Sequence, residues 1–195
     1  MTSTGDTRRR RFLLRVGVKL MAYSVLAGIV WVGIGFVATQ SDPKARLKTA
    51  RISLATLAVG KATLVDWGGR PVVVLYRGAA LLDALAEIPE STLRDPVSKA
   101  SEQPASFDQT LRSATAQYFV AIAYGTDLGC PVRYLPPDEQ AFQGHTWPGG
   151  FIDSCRGSRY DIAGRVYRQQ QAQKNLVVPP HRIDGDTLVL GATIQ

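Results

Sequence analysis

The chain has 195 residues, of which 45% are hydrophobic, and a formal net charge of +7. This length allows one compact domain with an additional segment. Residues 1–51 hold ten Lys and Arg against two Asp, a balance of +8, so the remaining residues sum to −1. A nucleic-acid-binding domain carries its basic side chains on the folded surface. The charge distribution therefore argues against nucleic acid and for an element inserted in a membrane.

An apolar segment follows the basic N-terminal residues. Residues 20–38 contain no charged side chain, and Lys19 can extend its ammonium group toward the membrane interface. We predict a transmembrane helix over residues 16–39 after a cytoplasmic basic segment over residues 1–15. Five arginines before the helix place the N-terminus in the cytoplasm by the positive-inside rule, although four basic residues after it weaken the asymmetry.

The arginine run also matches an export signal. Residues 9–13 read Arg-Arg-Arg-Phe-Leu, which fits the core of the twin-arginine signal used to export folded domains in bacteria. A simple basic flank is the alternative interpretation. Because the residues after the apolar segment form a poor cleavage site, we expect a single-pass anchor in the bacterial inner membrane and a periplasmic head.

The exported part divides into a neck and a head. Residues 40–50 are polar and include Pro43, which is typical of a linker. The head, residues 51–195, contains short β-branched and aromatic runs separated by segments rich in Gly, Pro and Asp. This pattern favours a mostly β domain with long loops and one short helix.

The predicted elements of the head follow from local turn and strand signals. Prolines and glycines between residues 131 and 150 predict loops there. In chain order the predictions are a strand near residue 51, a hairpin of 62–67 and 71–76, a helix over 79–88, an irregular surface segment over 89–108, strands at 118–124 and 151–152, and a hairpin of 182–183 and 187–190.

Two short motifs carry a resemblance to a known family. Residues 125–130 read Gly-Thr-Asp-Leu-Gly-Cys, and residues 153–158 read Asp-Ser-Cys-Arg-Gly-Ser, followed by Tyr160-Asp161 and Gly164-Arg165. They resemble the loops C-T-H-L-G-C and C-P-C-H-G-S of the Rieske iron-sulfur subunit of bacterial-type ubiquinol:cytochrome c reductase. Further similar blocks, including residues 175–180 and the anchor, extend the resemblance over nearly the whole chain.

The resemblance implies a Rieske-like all-β head that has lost its cofactor ligands. The positions of the two thiolate and two imidazole ligands are Gly125, Asp127, Asp153 and Arg156. Glycine has no donor atom, arginine stays protonated, and carboxylates are hard ligands that suit iron-sulfide clusters poorly. We expect a degenerate paralogue with no 2Fe-2S cluster, no other metal and no catalytic residue.

The resemblance also assigns roles to residues around the cluster positions. Cys130 and Cys155, the only cysteines, correspond to the pair that forms a disulfide between the two loops in the family. Leu128, Ser158 and Tyr160 correspond to residues that surround the cluster, and without a cluster they are interpreted as parts of the scaffold. An exported compartment permits such a disulfide.

The substituted positions allow several arrangements. Asp127, Asp153 and Arg156 can form an ionic cluster, or all three can point into solvent. A mononuclear metal site of Asp127, Asp153 and His145 is a further alternative, against which the guanidinium of Arg156 argues. His145 and His181 lack paired spacing to either cysteine, so we assign them surface or hydrogen-bonding roles.

The functional prediction is a non-catalytic accessory subunit of a bacterial respiratory membrane complex. The expected partners are the lipid bilayer and the cytochrome b and cytochrome c type subunits of ubiquinol:cytochrome c reductase, or a terminal oxidase in a supercomplex. One alternative is a genuine Rieske-type electron-transfer or metal protein with unusual ligands. Another is a periplasmic assembly or binding factor.

Overall fold

The computed structural model describes residues 4–39, 49–142 and 144–191. The chain divides into two compact units, Met1–Arg46 and Leu47–Gln195. Most of the predicted neck, residues 40–48, lies outside the described residues. The head consists mostly of strands in small sheets with one short helix, as the sequence predicts.

The N-terminal unit contains one long helix, α1, which covers Thr4–Thr39. Its segment Arg9–Phe36 is exposed throughout and is long and apolar enough to cross a membrane. The helix begins well before residue 16 because Arg and Leu are good helix formers and no proline interrupts them. Residues 4–15 of the basic segment are therefore helical as well, and a membrane boundary at residue 16 remains a prediction.

The head contains eleven described strands and one α-helix. In chain order they are β1 (Ala50–Ser53), β2 (Ala62–Trp67), β3 (Arg70–Tyr76), α2 (Ala79–Ala86), β4 (Tyr118–Ile122), β5 (Val132–Leu135), β6 (Asp138–Phe142), β7 (His145–Trp147), β8 (Gly150–Asp153), β9 (Arg159–Tyr160), β10 (His181–Asp184) and β11 (Thr187–Leu190).

The strands form three antiparallel three-stranded sheets, with the orders β1-β11-β10, β2-β3-β4 and β5-β8-β9, and β6 pairs with β7. Both predicted hairpins are confirmed: Val65 pairs with Val72 across the first and Ile183 pairs with Leu188 across the second. The prediction of loops between residues 131 and 150 was wrong, since β5, β6 and β7 lie there. Prolines flank these short strands instead of interrupting them.

The core lies on both faces of β3. Val73 and Leu75 belong to one apolar cluster with residues of β4, β5, β8 and β9. Val72 and Val74 belong to a second cluster with Leu188 of β11. A strand that is buried on both faces carries a continuous β-branched run instead of an alternating pattern, which explains the sequence of β3.

Buried polar groups fix the segment after β9. Asp161 accepts hydrogen bonds from the backbone N–H groups of Ala163 and Arg165 at 2.9 and 2.8 Å. The Arg165 Nε–H donates to the same carboxylate at 2.6 Å, and both side chains are buried. The guanidinium of Arg112 donates to the carbonyl oxygens of Ala163, Gly164 and Leu176. Because these charges are buried, each depends on its hydrogen-bond partners.

His181 lies on β10 and is buried, so its predicted hydrogen-bonding role is confirmed and a surface position is excluded. Its Nδ1 lies 2.9 Å from the Pro179 carbonyl oxygen, while Nε2 is buried without a hydrogen-bond partner among the described residues. The ring contacts Phe107 edge to face. Burial lowers the pKa of His181 from its ordinary value of 6.5 to about 4, since a charged ring is poorly solvated there.

This burial predicts an acid-dependent loss of stability. Because the unfolded chain binds the proton more tightly, the contribution of neutral His181 is complete above pH 6.5 and is lost as the pH falls toward 4. The expected loss is about 3 kcal/mol. Urea unfolding at several pH values measures it. The variant His181→Phe should flatten the dependence between pH 6.5 and 4, and an unchanged slope would contradict the assignment.

Candidate functional site

Two adjacent loops form the candidate site. The first loop, residues 125–130, lies between β4 and β5, and the second loop, residues 153–158, lies between β8 and β9. The pairing of β5 with β8 places Val132 opposite Asp153, and the N–H of Ser154 donates to the Pro131 carbonyl at 3.0 Å. The sheet therefore holds the two loops side by side.

A disulfide joins the loops, as the resemblance implies. Cys130 and Cys155 are bonded, with their Cα atoms 6.0 Å apart and a sequence separation of 25. In the loop-entropy model, a cross-link of this span stabilises the folded state by about 3.5 kcal/mol. The bond links the two loops covalently.

Asp153 is buried at the start of the second loop, with 4% exposure. Its Oδ1 accepts hydrogen bonds from the backbone N–H groups of Cys155 and Arg156 at 2.8 and 2.9 Å. Its own N–H donates to the Ser158 carbonyl at 2.9 Å. The carboxylate therefore shapes the turn of the second loop, in the manner of an Asx turn.

Asp127 and Arg156 meet at the surface. Arg156 Nη1 lies 3.4 Å from Asp127 Oδ2, and the two side chains are 47% and 24% exposed. Asp153 lies outside this pair, because its carboxylate is directed to the backbone of its own loop. Instead of the three-residue ionic cluster considered from the sequence, the structure has one surface ion pair and one buried carboxylate.

Two of the three residues that the resemblance places around a cluster form hydrogen bonds within the protein. The Ser158 hydroxyl is buried and accepts a hydrogen bond from the Ala172 N–H at 3.2 Å. The Tyr160 hydroxyl accepts one from the Thr126 N–H at 3.2 Å, and burial raises the pKa of Tyr160. The third residue, Leu128, differs, since it is 60% exposed.

The sequence does not predict the hydrogen bonds that the glutamines after Tyr167 form. In the structure, the Gln170 Oε1 accepts a hydrogen bond from the Arg159 N–H at 3.1 Å, and Arg94 donates to Gln173 Oε1 at 2.7 Å. The run of glutamines was the available signal for these contacts, since each side-chain amide can both donate and accept hydrogen bonds.

The four positions assigned to cluster ligands do not fit a Rieske centre. That centre needs two thiolates on one iron and two imidazoles on the other. Gly125 supplies no donor, Arg156 supplies a cation, and the Asp153 carboxylate already binds two backbone N–H groups. The donor set and its hydrogen bonding disagree with the cofactor of the family.

Other metal arrangements gain no support from the described residues. Donor atoms of Cys130, Asp153 and Cys155 lie within 4.8 Å of one another, but the two sulfurs are bonded to each other. Only the carboxylate of Asp153 is then left as a free donor. His145 lies on β7, and its side chain is outside the described part of the structure. His181 lies in another sheet.

Comparison with known proteins identifies the family. The chain is 34% identical to the ubiquinol-cytochrome c reductase iron-sulfur subunit of Allochromatium vinosum, over 97% of this chain and 91% of the relative. It is 31% identical to that of Rhodospirillum rubrum, over 97% and 94%. A structure titled hyperthermophilic respiratory Complex III matches 89% of this chain and 98% of its own, with TM-score 0.43 and 15% identity. No protein-family model matches the chain.

A mostly β head with two loops joined by a disulfide is consistent with a Rieske-type protein. The identities over nearly the full length establish a narrower assignment. The chain belongs to the family of ubiquinol-cytochrome c reductase iron-sulfur subunits.

The surface ion pair predicts a small effect of Arg156. Replacing Arg156 by Leu should lower the free energy of unfolding by less than about 1 kcal/mol, since exposed pairs contribute little. The comparator is the double variant C130S/C155S, which should lose about 3 kcal/mol. Urea unfolding of both variants gives the comparison. An equal loss in the two would show that the ion pair is a principal cross-link.

Proposed function

We propose that this chain is a cluster-free, Rieske-like accessory subunit of a bacterial respiratory membrane complex. The complex is the ubiquinol:cytochrome c reductase or its supercomplex with a terminal oxidase. The observation that carries the proposal is the retained fold and disulfide around a loop pair whose four ligand positions hold unsuitable residues. The subunit is structural and has no catalytic residue of its own.

The chemistry of the loops supports the absence of electron transfer. No thiolate is available at the site, because Cys130 and Cys155 form the disulfide. A guanidinium repels a metal cation, and the Oδ1 atom of Asp153 already accepts two backbone N–H groups. A chain without a redox centre can contribute packing surfaces but cannot carry an electron.

The proposed layout follows the charge pattern of the chain. Residues 1–15 are cytoplasmic, residues 16–39 span the inner membrane, residues 40–50 form the neck, and residues 51–195 form the periplasmic head. The arginine run of residues 9–13 acts as the twin-arginine signal. The exposed, apolar surface of α1 supports the membrane assignment.

The proposed partners follow from the relatives. A relative in Saccharomyces cerevisiae is named the Rieske subunit of the mitochondrial cytochrome b-c1 complex, with 30% identity over 72% of this chain and 56% of the relative. We assign to this chain the corresponding partners, cytochrome b and cytochrome c1 type subunits. The chain has an apolar N-terminal helix and a β head, and it associates with these partner subunits through both.

Two rival functions differ in what they require. A genuine electron-transfer or metal protein requires ligands beyond the donor set of the two loops. A periplasmic assembly or binding factor requires release from the mature complex. Both rivals share the membrane anchor with the proposal, so the composition of the isolated complex separates them better than localisation does.

Purification from gently solubilised native membranes tests the accessory role. The tagged full-length chain should co-migrate with the haem-bearing subunits of the reductase in a complex of fixed stoichiometry. The matched control is R9K/R10K, which keeps every charge and should abolish export and therefore association. Recovery only in incomplete complexes would favour the assembly factor, and recovery free of haem proteins would contradict the proposal.

A further inference from the structure

The position of Gly125 requires the absence of a side chain. Its φ lies outside the left-handed range that favours glycine, so backbone conformation does not explain the residue. A Cβ built at this position overlaps Asp153 Oδ2 and lies 3.2 Å from Asp153 Cγ and 3.5 Å from its Cβ. The residue that excludes a side chain at position 125 is therefore Asp153.

Neither residue of this contact is free to move away. The N–H of Gly125 donates to the Cys130 carbonyl at 2.8 Å, and its carbonyl accepts from the Gly129 N–H at 3.2 Å. The Asp153 carboxylate is held through Oδ1 by two backbone N–H groups. A buried carboxylate that loses such partners is destabilised. The overlap therefore cannot be relieved by a small rotation.

We infer that Gly125 and Asp153 form a sterically coupled pair, here called the interlock: the Asp153 carboxylate fills the space that a side chain at position 125 would occupy. Asp153 is then a positioning residue that closes the second loop against the first without a bound group. This steric coupling does not depend on what the protein does. The interpretation that the pair substitutes for two cluster thiolates rests on the proposed function.

The interlock has a consequence for single substitutions. A side chain added at position 125 meets the carboxylate, while a cysteine placed at position 153 gives up the acceptor for the N–H groups of Cys155 and Arg156. Each change alone is unfavourable, and only a joint change relieves the overlap. The two positions are therefore coupled energetically across the disulfide-linked loops.

A double-mutant cycle in the full-length chain, in detergent, tests the interlock. Thermal unfolding is measured for G125A, D153S, D153N and both double variants. G125A should lower Tm by about 5 °C, because an overpacked buried site is strained. In the D153S background, which removes the overlapping oxygen, G125A should cause no further loss. In the isosteric D153N background, its effect should persist.

The matched control is G78A in the same head. Gly78 also has a negative φ, and a Cβ there overlaps Val59 Cγ1. Because Val59 is 58% exposed, its methyl group can rotate into solvent, and G78A should shift Tm by less than about 2 °C. If G125A prevents folding, recovery of folding in G125A/D153S supports the interlock equally.

Additive effects of G125A and D153S would overturn the interlock, as would a G125A effect no larger than that of G78A. Failure of the proposed function has a different signature. Stoichiometric iron and acid-labile sulfide in the unsubstituted chain would contradict the cluster-free role whatever the cycle shows. If the cycle shows no coupling and the protein contains no iron, the interlock is refuted and the proposed function stands.

Discussion

The structure depends on holding two loops together at a position where the family carries a metal cluster. The Cys130–Cys155 bond supplies the covalent link, and the buried carboxylate of Asp153 closes the second loop by accepting two backbone N–H groups. The surface pair of Asp127 and Arg156 adds little, since both groups are partly solvated. The disulfide thus provides the cross-link between the loops, and the buried carboxylate fixes the turn of the second loop.

The rest of the head supports this arrangement. The apolar faces of β3 organise two clusters, and the pairing of β5 with β8 brings the loops into register. Behind them, the Asp161–Arg165 pair and the buried guanidinium of Arg112 fix the chain after β9. In the proposed function, the fold outlasts the redox chemistry because the packing of this scaffold comes from its own side chains.

Features set by local signals were predictable from the sequence. The glycine turn between β2 and β3, the uncharged stretch of α1 and the spacing of the two loop motifs required no tertiary information. Strands β5, β6 and β7 were not predicted from the sequence, because the prolines at their ends are also typical of a continuous loop. The fit between Gly125 and Asp153 could not be read from the sequence either, since it depends on a contact across two loops that only the sheet brings together.

The most direct measurement is the iron and acid-labile sulfide content, with the visible spectrum, of the full-length chain purified without exposure to oxygen. The variant G125C/D127H/D153C/R156H, which restores the donor types of the family, serves as comparator under the same iron and sulfide reconstitution. The account predicts a colourless natural chain without stoichiometric iron. About two irons per chain with Rieske-type absorption in the unsubstituted protein would contradict it.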